Sequence, residues 1–278
     1  MDPLFVTVSE KCSKITTTSY STSFSLGIRF LNKKFHNPIY SIYGFVRFAD
    51  EIVDSFHDYD KHSLLEKFKH DAYEAIDQKI SLNPILNSFQ RVVHEYGIER
   101  ELIDAFLKSM EMDLYKQNYN RRLYEQYIFG SAEVVGLMCL RVFCEKDSAV
   151  YESLKPAAMR LGSAFQKINF LRDLKADHDY LGRTYFPGVD LQNLSAQDKL
   201  LIEREIEIDL QSALEGIRRL PTSSRKGVYL AYYYYRALFR KIKQTHPKGV
   251  MNKRIRIPNF QKMLLMITSA LRHELNIL

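Results

Sequence analysis

The chain has 278 residues, 46% of them hydrophobic and 26% charged, with a formal net charge of +7. This balance places it among ordinary soluble globular proteins. Eleven glycines and eight prolines are too few for an all-β architecture full of tight turns. The basic residues are dispersed rather than gathered, which argues against a nucleic-acid partner.

In chain order, the opening MDPLFVTVSEKC lacks the basic and long apolar regions of a signal peptide. Apolar periodicity predicts a first helix at 38–57, which carries FVRFADEIVD at 45–54. Arg47, Asp50 and Asp54, spaced three and four apart, form one polar stripe with Glu51 beside it. Phe45, Val46, Phe48, Ile52 and Val53 cover the rest of that helix. Like charges in such apolar company need a cation or donors to compensate them. Further helices are expected at 61–77, 84–96, 99–116 and 121–144, broken by turn residues at SLNP and YGIE. In VGLMCLRVFCEK, Cys139 and Cys144 read as small packed hydrophobes. With Cys12 they make an odd count, expected of a reducing compartment without a disulfide framework. No segment reaches the roughly eighteen uninterrupted apolar residues of a membrane span, so a cytoplasmic location is expected.

A helix at 147–177 ends in QKINFLRDLKAD, which puts Gln166, Asn169, Asp173 and Asp177 on one face with Arg172 at its margin. In the next helix, 196–218, EREIEIDL spaces Glu203/Glu207 and Glu205/Asp209 equally. With no amides or arginines on the same face, a solvated surface is expected there. Helices at 224–244 and 259–276 complete the set. Within the first of these, YLAYYYYRALF points consecutive tyrosines to all sides, so only one or two can face a cavity. Two irregular stretches remain, 178–195 and 246–259, of a length that is more often functional than idle. The fold class expected is all-α, a single domain over 1–278. The two aspartate pairs are either separate salt-bridge networks or, if their helices face each other, one cavity of four carboxylates. Such a cavity suits Mg²⁺ and a diphosphate, with Arg47 and Arg172 as bidentate donors.

These residues resemble the squalene/phytoene synthase family, the head-to-head prenyl synthases, across essentially the whole chain, and look most like a bacterial phytoene synthase. The resemblance rests on SYSTSFSLG at 19–27, ADEIVD at 49–54, YIFGSAEVVGLM at 127–138, NFLRDLKAD at 169–177 and GRTYFP at 182–187, in that order. It implies an isoprenoid-synthase helical bundle with a central cavity and Mg²⁺ as cofactor, Mn²⁺ being the alternative. By resemblance Asp50, Asp54, Asp173 and Asp177 hold the metal and Tyr127 sits near the reacting carbons. Arg47, Gln166, Asn169 and Arg172 would contact diphosphate or its metal. Ser21, Ser23, Tyr43, Tyr235 and Arg254 match positions lining the diphosphate pocket, and Arg183 could close over it. His57 and His178 are expected on the surface, because oxygen suits Mg²⁺ better. Tyr20, Thr22 and Glu133 depart from the family pattern; Glu133 either points into the pocket or pairs with an arginine outside it.

The expected activity is that of a Mg-dependent prenyltransferase. Two geranylgeranyl diphosphates would give phytoene through a cyclopropylcarbinyl (prephytoene) diphosphate, the first step of carotenoid synthesis. The alternatives are a squalene or dehydrosqualene synthase using farnesyl diphosphate, and a non-catalytic all-α scaffold. A terpene cyclase or head-to-tail prenyl synthase fits less well, because DEIVD is only partly like a DDxxD motif. Apolar substrate and product imply peripheral work at the inner face of the membrane, although no amphipathic anchor stands out.

Overall fold

A computed structural model describes residues 2–115, 119–176, 185–189, 194–252 and 254–274, and the regular structure among them is entirely helical. The order is α1 (Pro3–Tyr20), α2 (Thr22–Arg29), a short 3₁₀ turn, α3 (His36–Ser55), α4 (Lys61–Gln78), α5 (Pro84–Tyr96) and α6 (Arg100–Asp113). Then come α7 (Arg121–Ile128), a π-helical turn (Phe129–Glu133), α8 (Val134–Cys144), α9 (Ser148–Ala176), α10 (Ala196–Arg219), α11 (Thr222–Lys243), α12 (Pro247–Asn252) and α13 (Asn259–Glu274).

Local chemistry sets many of the ends. The Asn83 side chain accepts the amide of Ile85, Pro84 takes the first helical position, and Gly97 closes α5 at a φ of 67°. Asp60, Asn120 and Ser195 cap α4, α7 and α10 in the same way. The core is aromatic at its centre: Phe45 of α3 stacks on Phe89 of α5 at 4.0 Å and meets Phe106 of α6 at 5.4 Å. Helix α9 packs along α8 and α10, and α3 lies against α1, α5, α6 and α8.

Three expectations need correction. Residues 3–20 and 22–29 are helical, although no helix was expected there: the buried face of α1 is Ser9, Ser13 and Thr17, so no apolar stripe marks its core side. The irregular stretch 246–259 contains α12. EREIEIDL is not a solvated face throughout, because Glu203 and Asp209 are buried. Lys199 pairs with Glu203. Lys167 of α9 reaches Asp209 at 2.8 Å, and Arg160 reaches it at 3.1 Å. Of the other irregular stretch, 178–184 and 190–193 lie outside the described residues. The rod Arg121–Cys144 is apolar enough to cross a membrane by length and composition. Here it packs between α6 and α9 as a core element.

Candidate active site

Helices α2, α3, α8, α9, α10 and α11 supply most of the lining of one cavity of about 1190 Å³. Its walls follow helical stripes that change character along their length. On α9 the lining runs Leu154, Ala158, Leu161, Phe165, Gln166, Asn169 and Asp173. On α3 it runs Ile39, Tyr43, Arg47, Asp50 and Asp54. Both helices therefore pass from an apolar start to an acidic end. At ~1.5 Å per residue the α9 stripe alone spans about 28 Å. Leu31, Leu140, Phe143, Ile217 and Leu220 close the deep end and are themselves buried. The polar end is the open one, where Tyr20 is half exposed and Arg254 is nearly so.

The close helix contacts that shape the wall depend on glycine. A Cβ on Gly130, in the π turn, would lie 2.4 Å from the Ala105 carbonyl oxygen of α6. One on Gly162 of α9 would lie 2.8 Å from the Ala132 carbonyl oxygen. The π turn thus sits flush between α6 and α9, with Ser131 and Ala132 facing the cavity.

At the mouth, Asp54 lies in the last turn of α3, towards the negative end of that helix dipole, where carboxylates are electrostatically disfavoured, with Asp50 one turn before it and Asp173 in the last described turn of α9. Arginines compensate. Arg47 donates to Asp50 and Glu51 and stacks 4.3 Å over the Tyr20 ring. Arg172 chelates Asp173 through Nε at 3.0 Å, and Arg254 Nε reaches the same carboxylate at 2.6 Å. Burial acts to lower the Arg172 pKa, but the Asp173 hydrogen bond and carboxylate with the Tyr235 phenol outweigh it, and the net shift is upward. Burial raises the phenols of Tyr43 and Tyr235, which stay protonated donors. Tyr235 donates to Asn169 Oδ1 at 3.2 Å and stacks on Phe165 at 3.8 Å. Ser21 sits at the break between α1 and α2, where its side chain accepts the Phe24 amide, and Phe24 in turn stacks on Tyr43.

Below the mouth lies an aromatic wall. Tyr127 donates to the buried Asp113 at 2.8 Å. Its ring meets Tyr185 at 5.1 Å, and Phe170 stacks on Tyr185 at 4.0 Å. Deeper still, burial pushes the Cys139 thiol up to about 12, so the one sulfur lining the described cavity is a protonated, weakly nucleophilic group.

Twelve of the residues predicted for a site line this cavity: Asp50, Asp54, Asp173, Tyr127, Ser21, Tyr43, Arg47, Gln166, Asn169, Arg172, Tyr235 and Arg254. Asp177 and Arg183 lie outside the described residues, as does the Ser23 side chain. Glu133 does not line the cavity; it accepts from Ser163 Oγ on α9, beside Arg160. His57 is exposed and lies against Lys61. Sequence reasoning missed Tyr20 as a partner of Arg47, and missed Phe165, Phe170, Tyr185, Tyr234 and Lys262 as lining. An aromatic residue at helical spacing looks alike whether it faces a core or a cavity, so no local signal separates them.

The donor set is hard: carboxylate oxygens from facing helices, with no imidazole or thiol at the mouth among the described residues. It fits Mg²⁺, and Mn²⁺ by the same chemistry.

Comparison with known proteins agrees with this geometry. The sequence profile of the squalene/phytoene synthase family matches residues 17–261. The chain is 26% identical to a phytoene synthase of Arthrospira platensis, over 95% of this chain and 92% of that one. It is 32% identical to a presqualene diphosphate synthase of Sinorhizobium fredii, over 64% of this chain and 62% of the relative. A crystal structure of a dehydrosqualene synthase superposes with a TM-score of 0.84 at 20% identity, covering 97% of this chain and 98% of that one.

Proposed function

The chain belongs to the squalene/phytoene synthase family, and from that premise we propose that it joins two geranylgeranyl diphosphates head to head to give phytoene, a step of carotenoid synthesis. The observation that carries the reading is the lengthwise gradient of the cavity, cationic and acidic at the mouth, aromatic below it and aliphatic at the deep end. A diphosphate with a long prenyl tail has the same gradient. The phytoene synthase likeness over 95% of the chain favours the C20 substrate. The presqualene diphosphate synthase likeness, higher but shorter, favours the second reading, farnesyl diphosphate and a C30 product.

Asp50, Asp54 and Asp173, with Asp177 from the sequence, would hold Mg²⁺ or Mn²⁺. When bound, the metal neutralises charge developing on the leaving diphosphate. Arg47, Arg172 and Arg254 grip diphosphate oxygens bidentately once released from their carboxylates, and Tyr43, Tyr235 and Ser21 supply neutral donors. The first substrate ionises at C1 and expels diphosphate. The double bond of the second attacks that carbon, and loss of a proton closes the cyclopropane. A second ionisation expels the remaining diphosphate, and rearrangement with loss of a second proton yields the hydrocarbon. The rings of Tyr127, Phe165, Phe170 and Tyr185 stabilise the cations by cation–π attraction. The aliphatic wall excludes water, and Cys139, held as the thiol, offers no thiolate for alkylation.

The test is to incubate purified protein and Mg²⁺ with geranylgeranyl or farnesyl diphosphate and identify the hydrocarbon by mass. A C40 product, lost in Asp50→Ala and Asp173→Ala, supports the proposal. A C30 product replaces the substrate. No hydrocarbon from folded protein overturns the reading in favour of a scaffold.

A further inference from the structure

Basic residues are spread along the chain, but acidic ones are not: between Glu215 and Glu274 there is none, against fourteen lysines and arginines. That run forms α11 to α13, which therefore carry an excess of positive charge that draws anions. A concavity of about 300 Å³, separate from the cavity described above, opens beside α11. It is lined by Glu207 of α10 and by Arg236, Phe239, Arg240, Lys243 and Gln244 of α11. Arg236, Arg240 and Lys243, spaced four and three, share one face of that helix. Ala231, Tyr234 and Tyr235 of the same helix line the larger cavity instead.

Two ordinary uses for these cations are already met by other groups. The carbonyls that end α11 call for a donor, and the buried Lys199 ammonium supplies one to the Lys243 carbonyl at 3.3 Å. A surface ion pair would engage an arginine, yet among the described residues neither Arg236 nor Arg240 makes a hydrogen bond or an ion pair. Lys243 is paired, with Glu207 at 3.2 Å. Three cations and one carboxylate leave the concavity two positive charges. Two guanidinium forks one turn apart suit the oxygens of a phosphate. A phosphate monoester is largely a dianion above a pH of about 6, so its charge matches. The Glu207 carboxylate has a second oxygen able to accept a ligand hydroxyl, and its charge opposes a more highly charged diphosphate. The volume lies at the small end for ligand sites, room for a phosphate and a sugar-sized group.

We propose that the concavity between α10 and α11 is a second anion site, which binds the dianionic phosphate of a hydroxyl-bearing monoester. Arg236 and Arg240 grip the phosphate, Lys243 adds charge, and Glu207 accepts from a hydroxyl of the esterified group. A sugar phosphate and a nucleoside monophosphate share this chemistry. The proposal does not depend on the function proposed above.

Calorimetric titration of the full chain at low salt, without metal, tests it. The probes are ribose 5-phosphate, adenosine monophosphate, adenosine, inorganic phosphate and pyrophosphate. At least one ester should bind with a Kd of about 1 mM or tighter, and adenosine should not bind. The tighter ester identifies the source, a sugar phosphate or a nucleotide. Arg236→Gln/Arg240→Gln should weaken that ester at least about tenfold. Its melt without ligand should match the wild type, because both side chains are exposed and unpaired. Glu207→Gln should remove the preference for the ester over inorganic phosphate. Arg47→Gln/Arg172→Gln, altered at the mouth of the larger cavity, should bind the ester as the wild type does. Failure of both esters to bind overturns the proposal, as does binding that survives Arg236→Gln/Arg240→Gln. Binding lost in Arg47→Gln/Arg172→Gln would place the phosphate in the larger cavity and overturn it too. Pyrophosphate or inorganic phosphate bound here as tightly as the esters would overturn the assignment to a monoester.

Discussion

Asp173 is shared by two arginines, Arg172 next to it in sequence and Arg254 from the segment after α12. The pairing neutralises a carboxylate that is largely screened from water. Asp173→Asn should leave the fold intact, because the site is open enough for the arginines to rehydrate, while product formation falls by about three orders of magnitude or more. Comparing melts with turnover checks both halves. Glu133 offers a contrasting case, since burial raises its pKa, opposed in part by the Ser163 hydrogen bond. A carboxyl whose folded pKa is raised contributes stability below its unfolded value, about 4.5, and loses it as pH rises through the folded value. At pH 8 the ionised group is therefore a net cost. Glu133→Gln should melt above wild type at pH 8, and the gap should close as the pH falls towards 4.5. Equal melts at pH 8 would refute this.

Between α9 and α10, the Lys167–Asp209 pair is dry on both sides, and Lys167 stands next to Gln166 on the helix that presents the acidic face. Removing Lys167 leaves the buried Asp209 with only the exposed Arg160, so Lys167→Met should destabilise by up to roughly 3–5 kcal/mol, and Lys167→Met/Asp209→Leu should recover most of it. Chemical denaturation of the single and double variants measures both. This pair was misread in the sequence for a definable reason. Acidic residues four apart in EREIEIDL look solvated until the lysine and arginine of a different helix are known to meet them. Helix α1 escaped detection for the opposite reason, its buried side being hydroxyl-bearing and its apolar side turned out. By contrast, α5 was legible throughout, because Asn83, Pro84, Gly97 and a continuous apolar stripe all agree. The aspartate faces of α3 and α9 were equally plain, since a helical spacing fixes which residues share a face. Whether those two faces converge is a tertiary fact, and only five motifs in family order suggested it.

Taken as a whole, the molecule resolves two electrostatic demands with one set of arginines. Arg47 neutralises Asp50, and Arg172 and Arg254 neutralise Asp173. To bind a diphosphate those same arginines must turn to phosphate oxygens, and the aspartates then need a divalent cation. Metal and diphosphate should therefore bind with strong positive coupling, each removing the cost the other would meet alone. Thermal melts make this visible. Mg²⁺ alone should shift the midpoint little, since it competes with arginines already in place. Inorganic pyrophosphate alone should also shift it little, since it strands carboxylates at helix C-termini. The two together, at about a hundred times the joint Kd, should stabilise by about 2.7 kcal/mol. For a chain of this size that corresponds to roughly 5 °C. The excess over the sum of the separate shifts should vanish in Asp50→Asn/Asp173→Asn. Additive shifts in the wild type would mean that metal and diphosphate occupy independent sites, and the arrangement of arginines would then be structural alone.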